Sequence, residues 1–142
     1  LCASQPVIDF IRTRARSFIY PTGLPPATLA AAIVSLDLIA NDKELVARPI
    51  RHAKLFTDAL RLPEPESCIV PVILGAAETS LEAGEALEKK GFIVTPIRPP
   101  TVAEGTSRLR VTFTAEHKEA DILRLAEAVR PFLPEKPINQ FS

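Results

Sequence analysis

The sequence predicts an α/β chain whose second part is a small α+β domain, a short sheet covered by helices, preceded by a separate group of helices. Three observations predict it. The apolar period switches from helical spacing to alternation near Pro65; residues 108–114 alternate strictly; and two stretches between Gln5 and Ile39 are apolar at helical spacing, the second rich in Ala, Leu and Ile.

The elements follow in order. Gln5 to Ile19 gathers Val7, Ile8, Phe10, Ile11 and Ala15 on one helical face, with Arg12, Arg14 and Arg16 mostly elsewhere. Tyr20-Pro21-Thr22-Gly23-Leu24-Pro25-Pro26 cannot be helical throughout, because its prolines restrict the residues before them. It reads as a shaped loop. Pro25 and Pro26 suit the first turn of a second helix, Ala27 to Ile39, where a missing N–H costs little. Asn41-Asp42 interrupts the apolar run, so a domain boundary is expected there, dividing residues 1–42 from 43–142. A more polar helix is expected through Leu45 to Leu60, irregular around Pro49.

Beyond Pro63-Glu64-Pro65, Cys68 to Leu74 reads as a strand that Gly75 ends. Thr79-Ser80-Leu81-Glu82 has the form of a capping box, which predicts a helix over Leu81 to Lys90, closed by Gly91. Phe92 to Ile97 is a second strand. Arg108 to Thr114 is a third, with Leu109, Val111 and Phe113 on the core face and Arg108 and Arg110 on the other. A last helix carries Ile122, Leu125, Ala126 and Val129, and Pro134 to Ser142 reads as a loose tail.

Composition narrows the function. The 17 basic residues balance 17 acidic ones, so the basic footprint of a nucleic-acid partner is missing. Cys2 and Cys68 are too few for a disulfide framework and lack metal-ligand spacing, which leaves buried or incidental thiols. No apolar run approaches the ~20 residues that cross a bilayer, and no basic segment leads into an apolar one at the start. The expectation is a cytoplasmic protein with no membrane contact. A chain that begins with Leu1 is also expected to lack an N-terminal portion.

The chemistry concentrates in Ile97-Arg98-Pro99-Pro100-Thr101-Val102 and Gly105-Thr106-Ser107-Arg108-Leu109-Arg110. A guanidinium offers a planar fork of donors that matches a carboxylate, and a stiff Pro-Pro loop keeps such a fork in place. Anion recognition is one reading of these arginines. Surface ion pairs of Arg98 and Arg108 with some of the acids are the other.

These residues carry a resemblance. Ala15-Arg16-Ser17-Phe18-Ile19-Tyr20 with Pro21 to Pro26, Arg98-Pro99-Pro100-Thr101-Val102, Arg108-Leu109-Arg110 and Thr114-Ala115-Glu116-His117 resemble the C-terminal portion of the α-oxoamine synthases over nearly the whole chain. The resemblance implies the C-terminal part of a fold-type I transferase that uses pyridoxal 5'-phosphate to join an amino acid to an acyl thioester with loss of carbon dioxide. The substrates of the member most similar at Arg98 to Val102 are L-alanine and pimeloyl-CoA or its carrier-protein thioester. Members that use other acyl-CoAs, of the glycine acetyltransferase and 5-aminolevulinate synthase kinds, are the nearest alternatives. A free-standing α+β ligand-binding module is the alternative from another class.

By that resemblance Arg110 binds the amino-acid carboxylate, Thr101 contacts substrate, and Arg98 helps hold the acyl substrate. Thr22 reaches the cofactor phosphate of a neighbouring subunit in a homodimer. Pro21 stands where relatives often carry Ser or Thr, so a hydroxyl contact from that position is absent. His117 sits in the first turn after Thr114, where capping or packing is the expected role. No lysine lies in the family's Ser/Thr-x-x-Lys setting, so the residues that bind the cofactor covalently are expected upstream and the 142 residues alone are expected to be inactive.

Overall fold

The computed structural model describes residues 3–134; Cys2 and the expected tail beyond Pro134 lie outside the described residues. The chain divides into two compact units, Leu1–Asn41 and Asp42–Ser142.

The first unit is helical. The single helix expected over residues 5–19 is broken at Ala15, whose extended backbone (φ −77°, ψ 109°) separates α1 (Gln5–Arg14) from α2 (Arg16–Ile19). After the loop, α3 (Pro26–Asn41) starts at the expected proline, with Thr28 N–H donating to the Pro25 carbonyl at 2.9 Å. The helix is apolar on every side and buries none of its residues.

The second unit begins with α4 (Lys43–Leu60), whose N-cap Asp42 accepts from Leu45 N–H at 2.9 Å. The helix continues through Pro49, which forgoes one backbone bond without ending it. It closes on Arg61, a left-handed residue (φ 55°, ψ 38°), and two backbone bonds of the Schellman type follow: Arg61 N–H to Asp58 and Leu62 N–H to Thr57. Then come β1 (Ile69–Gly75), α5 (Ala77–Lys89), β2 (Thr95–Ile97), β3 (Ser107–Thr112), α6 (Glu119–Val129) and a 3₁₀ turn at Arg130–Phe132.

The three strands form one antiparallel sheet in the order β1-β3-β2. Strand β3 therefore lies in the centre. Pro71 is accommodated because β1 is an edge, where a missing N–H need not open the ladder. The second strand is shorter than the expected Phe92–Ile97, since only Thr95, Pro96 and Ile97 find partners on β3. Side-chain alternation nevertheless runs on through the unpaired part: Phe92 and Val94 pack on the core while Ile93 is 96% exposed.

The sheet turns one face to the helices. Leu109, Val111 and Phe113 are buried there as expected, with Val70, Val72 and Leu74 of β1, Phe56 and Leu60 of α4, Leu87 of α5, and Ile122, Leu125 and Val129 of α6. The Phe56 and Phe113 rings meet at 5.3 Å.

The expected capping box is not one. Gly75 (φ 90°) ends β1 and extended Ala76 leads straight into α5 at Ala77, so Thr79 to Glu82 lie inside the helix and Ser80 donates back to the Ala76 carbonyl instead. The far end matches expectation. Gly91 (φ 86°) and Phe92 donate to the Glu88 and Leu87 carbonyls, closing the helix.

Candidate functional site

The other face of the sheet is the candidate site. Because Cβ atoms alternate along a strand, opposing Leu109 and Val111 to the helices puts Arg108, Arg110 and Thr112 on the opposite side. The register adds their neighbours: Pro71 and Thr95 flank Arg110, while Ile73 and Ile97 flank Arg108. Side chains directly opposite in such pairs lie within about 5.5 Å of each other at Cβ. Neither Thr95 nor Pro71 carries charge, so neither cross-strand neighbour of Arg110 neutralises the fork.

Charge pairing supports the same picture. Among the described residues Glu44 pairs with Arg48 and Arg51, Asp58 and Glu64 with Lys54, and Asp121 with Arg124. Arg98 and Arg110 have no acidic partner among the described residues, and both are exposed. Arg108 is half-buried and directs Nε to the Thr106 carbonyl at 2.9 Å rather than to an acid. The surface ion pairs that formed the alternative reading of Arg98 and Arg108 are therefore not made within the described residues.

Strand β2 ends at Ile97, opposite Arg108, and the chain turns at once. Thr101 N–H donates to the Arg98 carbonyl at 3.1 Å, closing a four-residue turn whose Pro99–Pro100 peptide bond is cis. Arg98 and Thr101 are thus the two ends of one turn, at the end of the sheet where Arg108 lies, with Arg110 two residues further along β3. At ~3.4 Å per residue that step is about 7 Å. Arg98, Thr101 and Arg110 thus all lie on the β2–β3 hairpin, the first two in its turn and the third on the open face of β3. Thr22 belongs to the first unit, exposed on the loop before α3.

Of the two roles expected of His117, packing is the one seen: α6 starts at Glu119 behind Lys118 with no side-chain cap, and His117 instead holds the chain before it. Its Nδ1 accepts from Thr114 N–H at 3.0 Å and its ring stands edge-on to Phe113 at 6.1 Å. The Thr114 carbonyl meets Nδ1 of buried His52 at 2.8 Å, so two histidines hold one residue at the end of β3. Sequence reasoning passed over Thr95 and Thr106; the first becomes visible only with the register and the second only with the hydrogen bond from Arg108. A shallow groove of about 540 Å³ between residues 92–94, residues 111–113 and α6 contains none of the singled-out site residues. Among the described residues no group of His, Cys, Asp and Glu could hold a metal ion, and no helix is long and apolar enough to cross a membrane.

The chain is similar to known proteins over most of its length. The profile of the family described as aminotransferase class I and II matches residues 1–129. An 8-amino-7-oxononanoate synthase of Beijerinckia indica is 55% identical over 136 residues, covering 96% of this chain and 35% of that protein. One of Granulibacter bethesdensis is 57% identical over 133 residues, covering 94% and 35%. The chain thus spans about a third of the length of the curated relatives it matches.

Among solved structures, a serine palmitoyltransferase from S. paucimobilis with bound pyridoxal phosphate and myriocin superimposes with a TM-score of 0.75 at 28% identity, covering 89% of this chain and 34% of that one. An 8-amino-7-oxononanoate synthase from Francisella tularensis gives a TM-score of 0.72 at 24% identity, with 92% and 39% covered, and speaks for the fold alone. The fold is that of a part of a fold-type I enzyme, a small three-stranded sheet with helices on one side.

Proposed function

The chain belongs to the class I and II aminotransferase family, and from that premise we propose that it is the C-terminal third of an 8-amino-7-oxononanoate synthase. The whole enzyme condenses L-alanine with pimeloyl-CoA or pimeloyl-carrier protein, releasing carbon dioxide, in biotin biosynthesis. The observation that carries this reading is the Arg110 fork, free of acids among the described residues, on the sheet face away from the helices and in the strand that follows the turn bearing Arg98 and Thr101.

Arg110 holds the carboxylate of the amino acid through two parallel N–H donors. Thr101 offers a hydroxyl to the substrate, and Arg98, at the other end of the turn, supplies charge to the acyl thioester. Thr22 reaches the cofactor phosphate across a homodimer interface, and the apolar surface of α3 is covered in the assembled enzyme. Residues 1–42 are read as the end of the large cofactor-binding domain and residues 43–142 as the small domain. The enzyme works in the cytoplasm.

Each residue fits a contact that a pyridoxal-phosphate enzyme needs: Arg110, without an acidic partner among the described residues, for a substrate anion, and Thr22, an exposed hydroxyl in the other unit, for a phosphate of the neighbouring subunit. Bound pyridoxal 5'-phosphate supplies the electron sink for the bond changes at the amino-acid carbon. None of the lysines follows Ser or Thr by three positions, so the covalent anchor lies outside these residues and the 142-residue chain is inactive by itself.

The test is made on the full-length holoenzyme. L-Alanine with a pimeloyl thioester should release carbon dioxide and form 8-amino-7-oxononanoate faster than glycine with acetyl-CoA or succinyl-CoA, or L-serine with palmitoyl-CoA, release their products. Preference for any of the other pairs would move the protein to another branch of the same family.

A further inference from the structure

The residues of β3 divide between two tasks, and only one of them concerns substrate directly. Arg110 is exposed and has no acidic partner among the described residues. Arg108, two residues earlier on the same face, is half-buried and uses Nε to bind a backbone carbonyl. That carbonyl belongs to Thr106, the last residue of the β2–β3 connection.

The connection consists of two turns. Arg98 to Thr101 forms the first. Ala103 to Thr106 forms the second: the Ala103 carbonyl accepts both Thr106 N–H at 3.2 Å and Thr106 Oγ1 at 2.8 Å. Gly105 occupies its third position at φ 75°, the dihedral that a type II turn requires there. Arg108 touches both limits of this segment. Its cross-strand partner is Ile97, the residue just before the first turn, and its hydrogen bond is to Thr106, the residue that closes the second.

Resting on the function proposed above, we propose that Arg108 is a positioning residue. Through its Nε–H it fixes the Arg98–Thr106 segment, and with it Arg98 and Thr101, for the acyl thioester, while Arg110 alone receives the amino-acid carboxylate. The charge of Arg108 is incidental to this task. What matters is a donor at the Nε position, three bonds from Cβ, against a carbonyl that no other described residue satisfies by side chain.

Two substitutions separate donor from charge. Arg108→Gln keeps an N–H donor at the same bond distance from Cβ and loses the charge. Arg108→Lys keeps the charge, but a methylene stands where Nε was and the ammonium lies one bond further out. In the full-length holoenzyme, exchange of the Thr101 and Thr106 amides should quicken about fivefold in Arg108→Lys, the factor for one net hydrogen bond, and distinctly less in Arg108→Gln. The KM for the thioester should rise in the same order, while the affinity for L-alanine, read from the absorbance of the bound cofactor, stays level in both. Thr106→Val, which removes only the hydroxyl bond to Ala103, should quicken the same amides.

Exchange at Leu109 and Val111 serves as the internal reference, so a general loosening would raise all of these amides together and overturn the assignment. Equal effects of Lys and Gln, or a larger one of Gln, would overturn it as well. Should the lysine variant not fold, Arg108→Met, which also lacks the donor, takes its place in the comparison. The exchange ranking does not depend on which thioester the enzyme uses. A wild-type enzyme that ignores pimeloyl thioesters would defeat the proposed function and leave the Arg108 assignment to be decided by exchange alone.

Discussion

Helix α3 is the more continuously apolar of the two long helices, yet it buries nothing, whereas α4, studded with charges, buries His52, Ala53, Phe56, Thr57 and Leu60. The difference lies in how the apolar residues are placed. Those of α4 recur on one stripe, and a single sheet face with α5 and α6 can cover a stripe. Those of α3 surround the helix, so that Leu29, Ile33, Leu36 and Ile39 all remain exposed. Apolar content alone does not make a core: a helix that is greasy all round needs cover on several sides, which one small unit does not provide.

The largest test of this contrast is truncation of one side chain in each helix. Phe56→Ala removes a fully buried ring in contact with Phe113 and should cost about 3–5 kcal/mol in urea unfolding of the 142-residue chain. Leu36→Ala, at a site that is 66% exposed, should cost less than about 0.5 kcal/mol in the same chain. In the full-length enzyme the cost at Leu36 should climb to about 2–5 kcal/mol if the helix is covered there. Equal costs in the short chain would break the comparison.

A second test sets the two faces of the sheet against each other. Arg110→Lys, on the open face, keeps charge but loses the planar fork, so binding of L-alanine to the full-length holoenzyme should weaken by about 1.5–3 kcal/mol with little change in unfolding. Titration with L-alanine, followed by cofactor absorbance, measures the first, and urea unfolding the second. A large loss of stability would mean that this face is structural after all.

Smaller effects are expected where α4 ends and begins. Arg61→Gly places the residue without a Cβ at a left-handed position and should raise stability by about 0.5–1 kcal/mol, read from the urea midpoint. At the other end, hydrogen bonding from Arg51, helped by the charges of Arg51 and Arg48, holds the Glu44 carboxyl below its ordinary range. A carboxyl lowered in the folded state contributes stability that is fully present above the ordinary glutamate range and is lost as pH falls through the lowered value. The pair is exposed, so the effect is small and salt-sensitive. Unfolding of wild type and Glu44→Gln, compared at neutral and at acid pH, should show the wild type losing slightly more; an identical pH response would remove Glu44 from the account.

Local pattern made several elements legible. The alternation of residues 108–114 identified both the core face and the arginine face of β3, because period 2 is a property of any strand wherever it sits. Glycine at 91 and proline at 26 marked a helix end and a helix start for equally local reasons. The capping-box motif misled, because the geometry of Gly75 and Ala76 sets the entry to α5 before Thr79 is reached. At the site, alternation put Arg110 on the open face, and the part it plays there was suggested by family resemblance, since a free guanidinium and a paired one have the same sequence.

The amino-acid sequence by itself determined the element types, the faces of β3 and the presence of a stiff, arginine-flanked Pro-Pro segment. All of these follow from backbone dihedrals and side-chain periods that need only a few neighbouring residues. Only the tertiary structure decided that β3 is central, that β2 pairs for three residues, that Arg98 and Thr101 close one turn, and that Arg108 reaches Thr106 while Arg110 reaches nothing among the described residues. The strand order and pairing depend on register between segments far apart in sequence, which leaves no periodic trace in it, and the two local bonds depend on backbone and side-chain conformations that residue identity alone does not fix.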